Sequence, residues 1–159
     1  RIYVGTMEII DSQEKTSIGE FTSNENIEIA TILHKTAMKN DYVVPRLALN
    51  ASVLFASGQA SLNPGTAVEF DRIARFIESF SPSKILLVGH TDSDGDADSN
   101  LRLSEDRAEA VKRYLTESYD FINSEMIIAR GHGEVYPIAP NNSPENKTLN
   151  RRIEVVIWE

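Results

Sequence analysis

The sequence predicts an α/β (α+β) sandwich of β-α-β-α-β-β order, in which two helices pack on a small mixed sheet that follows an N-terminal extension. Short apolar runs typical of strands alternate with two amphipathic stretches typical of helices along residues 47–159. Of the 159 residues, 41% are apolar and 25% are charged, which is ordinary for a globular protein and argues against disorder. A chain of this length suits one good-sized domain, or a domain with an appendage.

The first three elements of this domain are predicted from periodicity and helix signals. Apolar side chains at every second position over residues 47–55 predict a half-buried strand. Asn63 and Pro64 suit the N-cap and first position of a helix, which continues with helical apolar spacing to Phe80. Residues 84–88 are nearly all apolar, so we expect a strand that is covered on both faces.

The remaining elements follow a polar and acidic loop over residues 90–100. Ser104 is the predicted N-cap of the second helix, because acidic residues come directly after it. Residues 126–129 predict a third strand, residues 137–146 a loop rich in Pro and Asn, and residues 152–158 a last strand with alternating apolar side chains. Both strand–helix–strand connections are compatible with right-handed parallel crossovers.

Residues 1–46 are predicted to be an N-terminal extension or the remnant of a preceding domain. Residues 2–10 and 16–21 read as a strand and its return strand. Residues 23–39 have apolar positions at helical spacing, although part of this stretch also alternates as a strand does. Residues 41–45 are the best candidate for the boundary with the main domain, which we place at 47–159.

Composition excludes several functional classes. The formal net charge of −8 and the pI near 4.9 disfavour a nucleic-acid binder, because phosphate contacts need a basic face. The lack of cysteine excludes disulfides, thiolate metal sites and cysteine nucleophiles. No apolar run approaches the ~18 residues needed to span a bilayer, so we predict no transmembrane segment. Because the sequence starts with Arg1 rather than Met, we expect a piece of a longer protein.

Asp92 and Arg107 are the first candidates for ligand binding. Asp92 follows the predicted strand at residues 84–88, and ligands of open sheets lie beyond the carboxyl ends of the strands. Arg107 falls in the first turn of the predicted second helix, and its planar guanidinium can hold a carboxylate bidentately. This arrangement suits a ligand that carries both an ammonium and a carboxylate. The alternative is a structural pair between the two side chains, which the spacing alone favours.

The loop that begins at Asp92 has four Asp residues and one Gly in seven positions, which is also compatible with a calcium site. Its order differs from that of an EF-hand, which has Gly sixth and Glu twelfth, because Gly95 is fourth and Leu103 is twelfth. A solvated loop that uses Asp and Gly for turns is the simpler interpretation, and a weak cation site stays open. We predict no metal ligands and no cofactor.

The histidines do not indicate a metal site or an enzyme. They are too scattered in sequence for a zinc motif, and each is expected to be structural or at the surface: His34, His90 and His132. Ser93 or Ser104 could be combined with His90 and Asp92, but no nucleophile elbow surrounds either serine. The sequence therefore predicts a binding protein rather than a hydrolase, and Arg152 is expected to be structural.

Five sequence blocks, in the same order, resemble the OmpA-like peptidoglycan-binding domain. This family includes outer-membrane proteins, peptidoglycan-associated lipoproteins and flagellar stator-associated proteins. The resemblance covers roughly two thirds of the chain. The blocks are VLFASGQASL at 53–62, VGHTD at 88–92, NLRLSEDRA at 100–108, ARGHGE at 129–134 and NRRIEV at 150–155.

The resemblance implies non-covalent binding of peptidoglycan through the diaminopimelate of the stem peptide. It implies that Asp92 takes the ammonium of the ligand and that Arg107 takes its carboxylate. It also implies that Thr91, Asn100 and Arg151 support the pocket, although sequence alone favours a strand-edge role for Arg151. The implied location is the periplasm or the periphery of the outer membrane in a Gram-negative-type envelope, where further envelope proteins could be partners.

One position departs from the resemblance. Many family members carry an acid directly after the aromatic residue of the first block, where this chain has Ala56 after Phe55. This form is closer to the flagellar stator-associated members. Any contact that the acid makes elsewhere must come from the backbone here, or be lost. Two other functions therefore stay open, namely a protein–protein adaptor that keeps the fold without wall binding and a calcium-stabilised interaction module.

Overall fold

The computed structural model describes residues 5–13, 16–23 and 46–158. Near the N-terminus, strand β1 (Gly5–Gln13) pairs antiparallel with strand β2 (Thr16–Ser23), and the register shifts between Ile9 and Asp11. This pair corresponds to the strand and return strand that the sequence predicts. The predicted helix over residues 23–39 and the predicted boundary at 41–45 lie outside the described residues.

The main sheet has four strands and mixed direction. Its strands are β3 (Arg46–Asn50), β4 (Lys84–Gly89), β5 (Ile127–Gly131) and β6 (Arg152–Trp158), in the spatial order β3-β6-β4-β5. Strand β6 is antiparallel to both of its neighbours, whereas β4 and β5 are parallel. Strands β3, β4 and β5 therefore share one direction, so both predicted crossovers connect parallel strands.

Two long helices, α2 (Ala67–Phe80) and α3 (Ala97–Ser118), fill the crossovers and pack on the sheet. Alternate residues of the central strands, such as Leu87 on β4 and Val155 on β6, are fully buried together with Phe70 of α2 and Val111 of α3. The predicted fold class, two helices on a small mixed sheet, is confirmed. Two short helices, α1 (Ala51–Leu54) and α4 (Pro144–Asn150), complete the described domain.

The first strand is shorter than the alternation of apolar residues predicts. It ends at Asn50, whose side chain accepts a hydrogen bond from the Ser52 amide at 2.8 Å and caps α1. An asparagine in this position stabilises the start of a helical turn, which ends the extended conformation. Val53 is consequently 50% exposed rather than buried.

Helix α2 starts at Ala67, three residues later than Pro64, because residues 64–66 form a turn. Thr66 takes the N-cap position without a side-chain cap bond. Asn63 uses its amide elsewhere and donates to the carbonyls of Ser52 and Val53. The prediction of Asn63 as the N-cap is therefore wrong, because the observed N-cap, Thr66, lies three residues later.

Helix α3 starts at Ala97, well before the predicted N-cap Ser104. Asp96 is the N-cap and accepts from the Ser99 amide at 2.9 Å. Ser104 lies about two turns inside the helix, where it is fully buried and accepts a hydrogen bond from the Gly133 amide at 2.9 Å. Arg107 is accordingly in the middle of α3 and not in its first turn.

Helix α3 approaches β4 and β5 at two glycines. A Cβ on Gly89 would lie 2.1 Å from the Ser104 carbonyl oxygen, and a Cβ on Gly131 would lie 2.3 Å from Ser104 Oγ. Because neither position has room for a side chain, the helix axis lies unusually close to the strands. This contact fixes the height of Asn100 and Arg107 above the carboxyl end of β4.

Candidate functional site

A cavity of about 630 Å³ opens beyond the carboxyl end of β4, where the sequence predicts a ligand site. Its other walls come from α1 with the loop after it, from α3 and from Arg151, which ends α4 just before β6. The cavity brings together all five predicted site residues, which are Thr91, Asp92, Asn100, Arg107 and Arg151.

Asp92 is buried at one side of the cavity, and both of its carboxylate oxygens accept hydrogen bonds. Oδ1 accepts from the Asp94 amide at 3.1 Å, which closes a tight turn. Oδ2 accepts from Nη1 of Arg151 in a very short ion pair. Asp92 and Arg107 do not form the structural ion pair that the sequence leaves open. Asp92 pairs with Arg151 instead.

Arg107 is a buried cation, only 5% exposed, that is held by carbonyl groups. Its Nε donates to the Gln59 carbonyl at 2.8 Å, and Nη2 reaches the Ala56 carbonyl at 3.5 Å. The guanidinium carbon lies 5.2 Å from the centre of the Phe55 ring, within cation–π range. Among the described residues no carboxylate forms an ion pair with Arg107. Burial and the nearby Arg151 lower the pKa of Arg107, while Asp92 raises it.

The contact at Ala56 bears on the departure from the family resemblance. Ala56 lines the cavity and offers its backbone carbonyl to Arg107. The backbone therefore supplies a polar group at the position where many relatives have an acid. The negative charge of that acid has no replacement at Ala56.

Asn100 holds the loop around the cavity in shape. Its Nδ2 lies 3.3 Å from the Asp92 carbonyl and 3.0 Å from the Asp94 carbonyl, and it donates to Oε2 of Glu134 at 2.7 Å. These bonds connect the first turn of α3 to the loop after β4 and to the loop after β5. Glu134 was not singled out as a site residue, since only the folded chain brings it to Asn100.

Thr91 lines the cavity, but its hydroxyl oxygen is buried. Its amide donates to the Gly133 carbonyl at 2.9 Å, and Oγ1 has no hydrogen-bond partner among the described residues. A buried hydroxyl without a partner costs about 1–3 kcal/mol. The amide bond ties Thr91 to the loop after β5, which suits the supporting role that the resemblance implies.

The short helix α4 crosses the rim of the cavity, and the sequence prediction missed it. Lys147 on α4 pairs with Asp94 at 2.6 Å, and Thr148 accepts from Nη2 of Arg151 at 2.6 Å. The signal for this helix is present in the sequence, because Ser143 is the N-cap and Pro144 follows at the first position. The prediction of a loop over residues 137–146 is wrong from Pro144 onward, where α4 begins.

Comparison with known proteins identifies the family. The OmpA family model matches residues 54–151. This chain belongs to the OmpA family. Its OmpA domain is 32% identical over 105 residues to the peptidoglycan-binding protein ArfA of Mycobacterium bovis, a match that covers 66% of this chain and 32% of ArfA. The chain spans less than two thirds of the length of the curated relatives that it matches, which include outer-membrane proteins and lipoproteins.

Solved structures give the same result for the fold of the OmpA domain. A MotB-like protein from Desulfovibrio vulgaris has a TM-score of 0.62 and 29% identity, with 72% of each chain covered. The cell wall anchor of the type VI secretion system from Pseudomonas aeruginosa has a TM-score of 0.63 and 27% identity, with 71% of this chain and 80% of that chain covered. By their names, ArfA is a peptidoglycan-binding protein and the Pseudomonas aeruginosa structure is a cell wall anchor. No described helix of the OmpA domain is long and apolar enough to cross a membrane.

A buried charged cluster lies behind the cavity of the OmpA domain. Arg152 donates from Nε to Oε1 of Glu154 at 2.7 Å, and Arg46 pairs with Oε2 of the same carboxylate at 3.3 Å. His90 Nε2 lies 3.8 Å from Glu154 Oε1, and neither ring nitrogen of His90 has a hydrogen bond within the described residues. Burial, followed by the charge of Arg152, lowers the pKa of His90 to about 4. Arg152 and His90 thus have the structural roles that the sequence predicts.

The acidic loop of the OmpA domain distributes its carboxylates to separate partners. Asp92 pairs with Arg151, Asp94 pairs with Lys147, and Asp96 caps α3. Within the described part of the chain, no group of three or more acidic or histidine side chains is placed to hold a metal ion. Ser104 Oγ donates to the Leu101 carbonyl, so this serine is not paired with His90 as a nucleophile would need.

Proposed function

We propose that this OmpA domain binds peptidoglycan non-covalently through the diaminopimelate of the stem peptide, and so anchors a larger envelope protein to the cell wall. The observation that carries the proposal is the cavity that both Asp92 and Arg107 line, each of them buried. The peptidoglycan-binding and wall-anchoring relatives support the same conclusion. The location that follows is the periplasm, at the periphery of the outer membrane.

The free end of diaminopimelate carries one ammonium and one carboxylate, and the cavity offers a group for each. The carboxylate would pair with the Arg107 guanidinium, and the ammonium would approach the Asp92 carboxylate. Thr91 and Asn100 would hold the loop, and Arg151 would close the rim. Charge-assisted hydrogen bonds contribute about 1.5–3 kcal/mol each, so ordering costs leave an affinity on the order of micromolar to millimolar. Such an affinity suits a tether to a polymer with many sites.

Co-sedimentation with purified diaminopimelate-type sacculi tests the proposal. The variants Asp92→Ala and Arg107→Ala should each weaken binding by about tenfold to a hundredfold, because each removes one charge-assisted contact. Asp98→Ala and Arg102→Ala are matched controls, since both residues are exposed on α3 outside the cavity. The melting temperature of every variant is measured beside the binding.

Two results would contradict the proposal. Unchanged binding in both cavity variants would remove Asp92 and Arg107 from the site. Failure of the folded wild-type domain to bind sacculi would contradict wall binding itself and favour a protein–protein adaptor.

A further inference from the structure

The charges around the cavity are unequally satisfied. Asp92 is already neutralised by Arg151, and Asp94 at the rim is neutralised by Lys147. Arg107 has only carbonyl oxygens and the Phe55 ring as partners among the described residues. The cavity therefore presents one buried, uncompensated positive charge and a carboxylate that a cation already occupies.

We propose that the cavity selects its ligand first by a free carboxylate, which pairs with Arg107, and that Arg151 competes with the ligand ammonium for Asp92. Arg151 is then the residue that sets how strongly the ammonium contributes to binding. This inference rests on the proposed function and names the chemical form of the ligand. The preferred ligands are stem peptides whose diaminopimelate keeps its side-chain carboxylate free, and amidated forms are rejected.

The carboxylate is the stronger requirement because Arg107 cannot leave its position. It is 5% exposed, its Nε is held by the Gln59 carbonyl, and the Phe55 ring lies beneath the guanidinium. A buried guanidinium gains most from a full negative charge, since the low dielectric of the site strengthens the attraction. An amide brings no charge, so an amidated ligand would displace water from Arg107 without replacing the missing anion.

The ammonium is the weaker requirement because it must replace an existing ion pair. Nη1 of Arg151 occupies Oδ2 of Asp92, and Oδ1 is used by the Asp94 amide. The binding free energy gained when the ligand ammonium contacts Asp92 is reduced by the loss of the Arg151–Asp92 ion pair. Arg151 can leave, since its side chain is 32% exposed at the rim and its other contact is the Thr148 hydroxyl.

Calorimetric titration with three synthetic tripeptides tests the selectivity of the wild-type chain. The first is L-Ala-γ-D-Glu-meso-diaminopimelate with its main-chain carboxyl capped as a methylamide. The second has the same cap and an amidated side-chain carboxylate, and the third has the same cap and its side-chain ammonium replaced by hydrogen. We expect amidation to weaken binding by about thirtyfold or more and removal of the ammonium by about fivefold or less. Equal losses for the two analogues, or a larger loss without the ammonium, would overturn the inference.

The variant Arg151→Gln tests the competition itself, because it frees Asp92 for the ligand. Removal of the ammonium should then weaken binding by about tenfold or more, while the loss on amidation stays unchanged. Lys147→Gln is the matched control, since it breaks the neighbouring ion pair to Asp94 and leaves Asp92 untouched, so its ligand ratios should equal those of the wild type. If Arg151→Gln weakens all three ligands equally, Arg151 does not compete and the inference is wrong.

The two proposals fail in different ways. A wild-type chain that binds none of the tripeptides and no sacculi contradicts wall binding, and the inference falls with it. A wild-type chain that binds the free and amidated tripeptides equally well keeps wall binding and contradicts only the selectivity. Melting temperatures of both variants show whether a change in binding reflects a change in folding.

Discussion

Two buried basic side chains, Arg107 in the cavity and His90 behind it, differ in charge because a guanidinium is a far stronger base than an imidazole. A guanidinium stays protonated in proteins, so Arg107 keeps its charge although burial lowers its pKa. An imidazole loses its proton far more easily, and burial lowers the pKa of His90 to about 4. The domain thus holds one cation that faces the cavity and one neutral ring behind it.

At the residue scale, the stability of the domain should fall in acid because of His90. Its pKa is 6.5 in an ordinary setting and about 4 in the folded chain, where burial, Arg152, His132 and Arg46 oppose its protonation and Glu154 favours it. The unfolded chain therefore binds more protons between pH 6.5 and 4. The stabilisation is complete above pH 6.5 and is lost progressively as the pH falls to 4, by about 3 kcal/mol in total.

Chemical denaturation at pH 7 and pH 4.5 measures this effect. The variant His90→Phe cannot take up a proton, so its free energy of unfolding should fall less between the two pH values than that of the wild type. Comparing the two proteins removes the contribution of the carboxylates to this loss of free energy, because the same carboxylates titrate in both. Identical losses in the two proteins would show that His90 is not the proton acceptor.

The sequence predicts which residues line the cavity, but it does not predict their hydrogen-bond partners. All five predicted side chains line one cavity because the sequence blocks that carry them end at the same edge of the sheet. The ion pair of Asp92 with Arg151 joins residues 59 positions apart, and no local pattern specifies it. Only the folded structure shows that Asp92 forms its ion pair with Arg151 rather than with Arg107.

At the element scale, the height of α3 above the sheet depends on Gly89. The variant Gly89→Ala would place Cβ 2.1 Å from the Ser104 carbonyl oxygen, a backbone atom of α3 that cannot turn away. We expect a loss of about 3 kcal/mol in the free energy of unfolding, since the helix and strand must separate. Urea denaturation of both proteins measures it.

Gly65→Ala is the control for this prediction. Gly65 has a positive φ of 85°, but a Cβ there would meet nothing within 4 Å. The expected cost is therefore only the backbone conformation, about 1 kcal/mol. If Gly89→Ala costs no more than Gly65→Ala, the close approach of α3 does not control the packing.

The elements themselves show which sequence signals can be trusted. The strands and the two long helices were predicted because their periodicity is strong, as in β6, where Ile153 and Val155 are fully buried. The helix starts were wrong because polar residues that can cap occur at several positions. Ser104 resembles an N-cap, yet it bonds to the Gly133 amide across the domain, which is a tertiary contact.

At the scale of the whole molecule, the wall-binding unit should be the main domain alone. All described residues that line the cavity fall between Ala51 and Arg151, and the four-stranded sheet begins at Arg46. Strands β1 and β2 pair with each other in a separate sheet. We therefore propose that residues 1–45 are an extension or a remnant of a preceding domain, one residue fewer than the 1–46 that the sequence predicts, because Arg46 belongs to β3.

A chain shortened to residues 46–159 should bind sacculi within about twofold of the full chain, because it keeps both buried charges and every described wall of the cavity. Co-sedimentation of the two proteins measures the ratio, and hydrogen exchange at β4 and β6 checks that the shortened chain is folded. Retained folding with lost binding would mean that residues 1–45 complete the site, and the ligand contacts would then include residues that precede the sheet. Equal binding would show that residues 1–45 contribute no contact to the site.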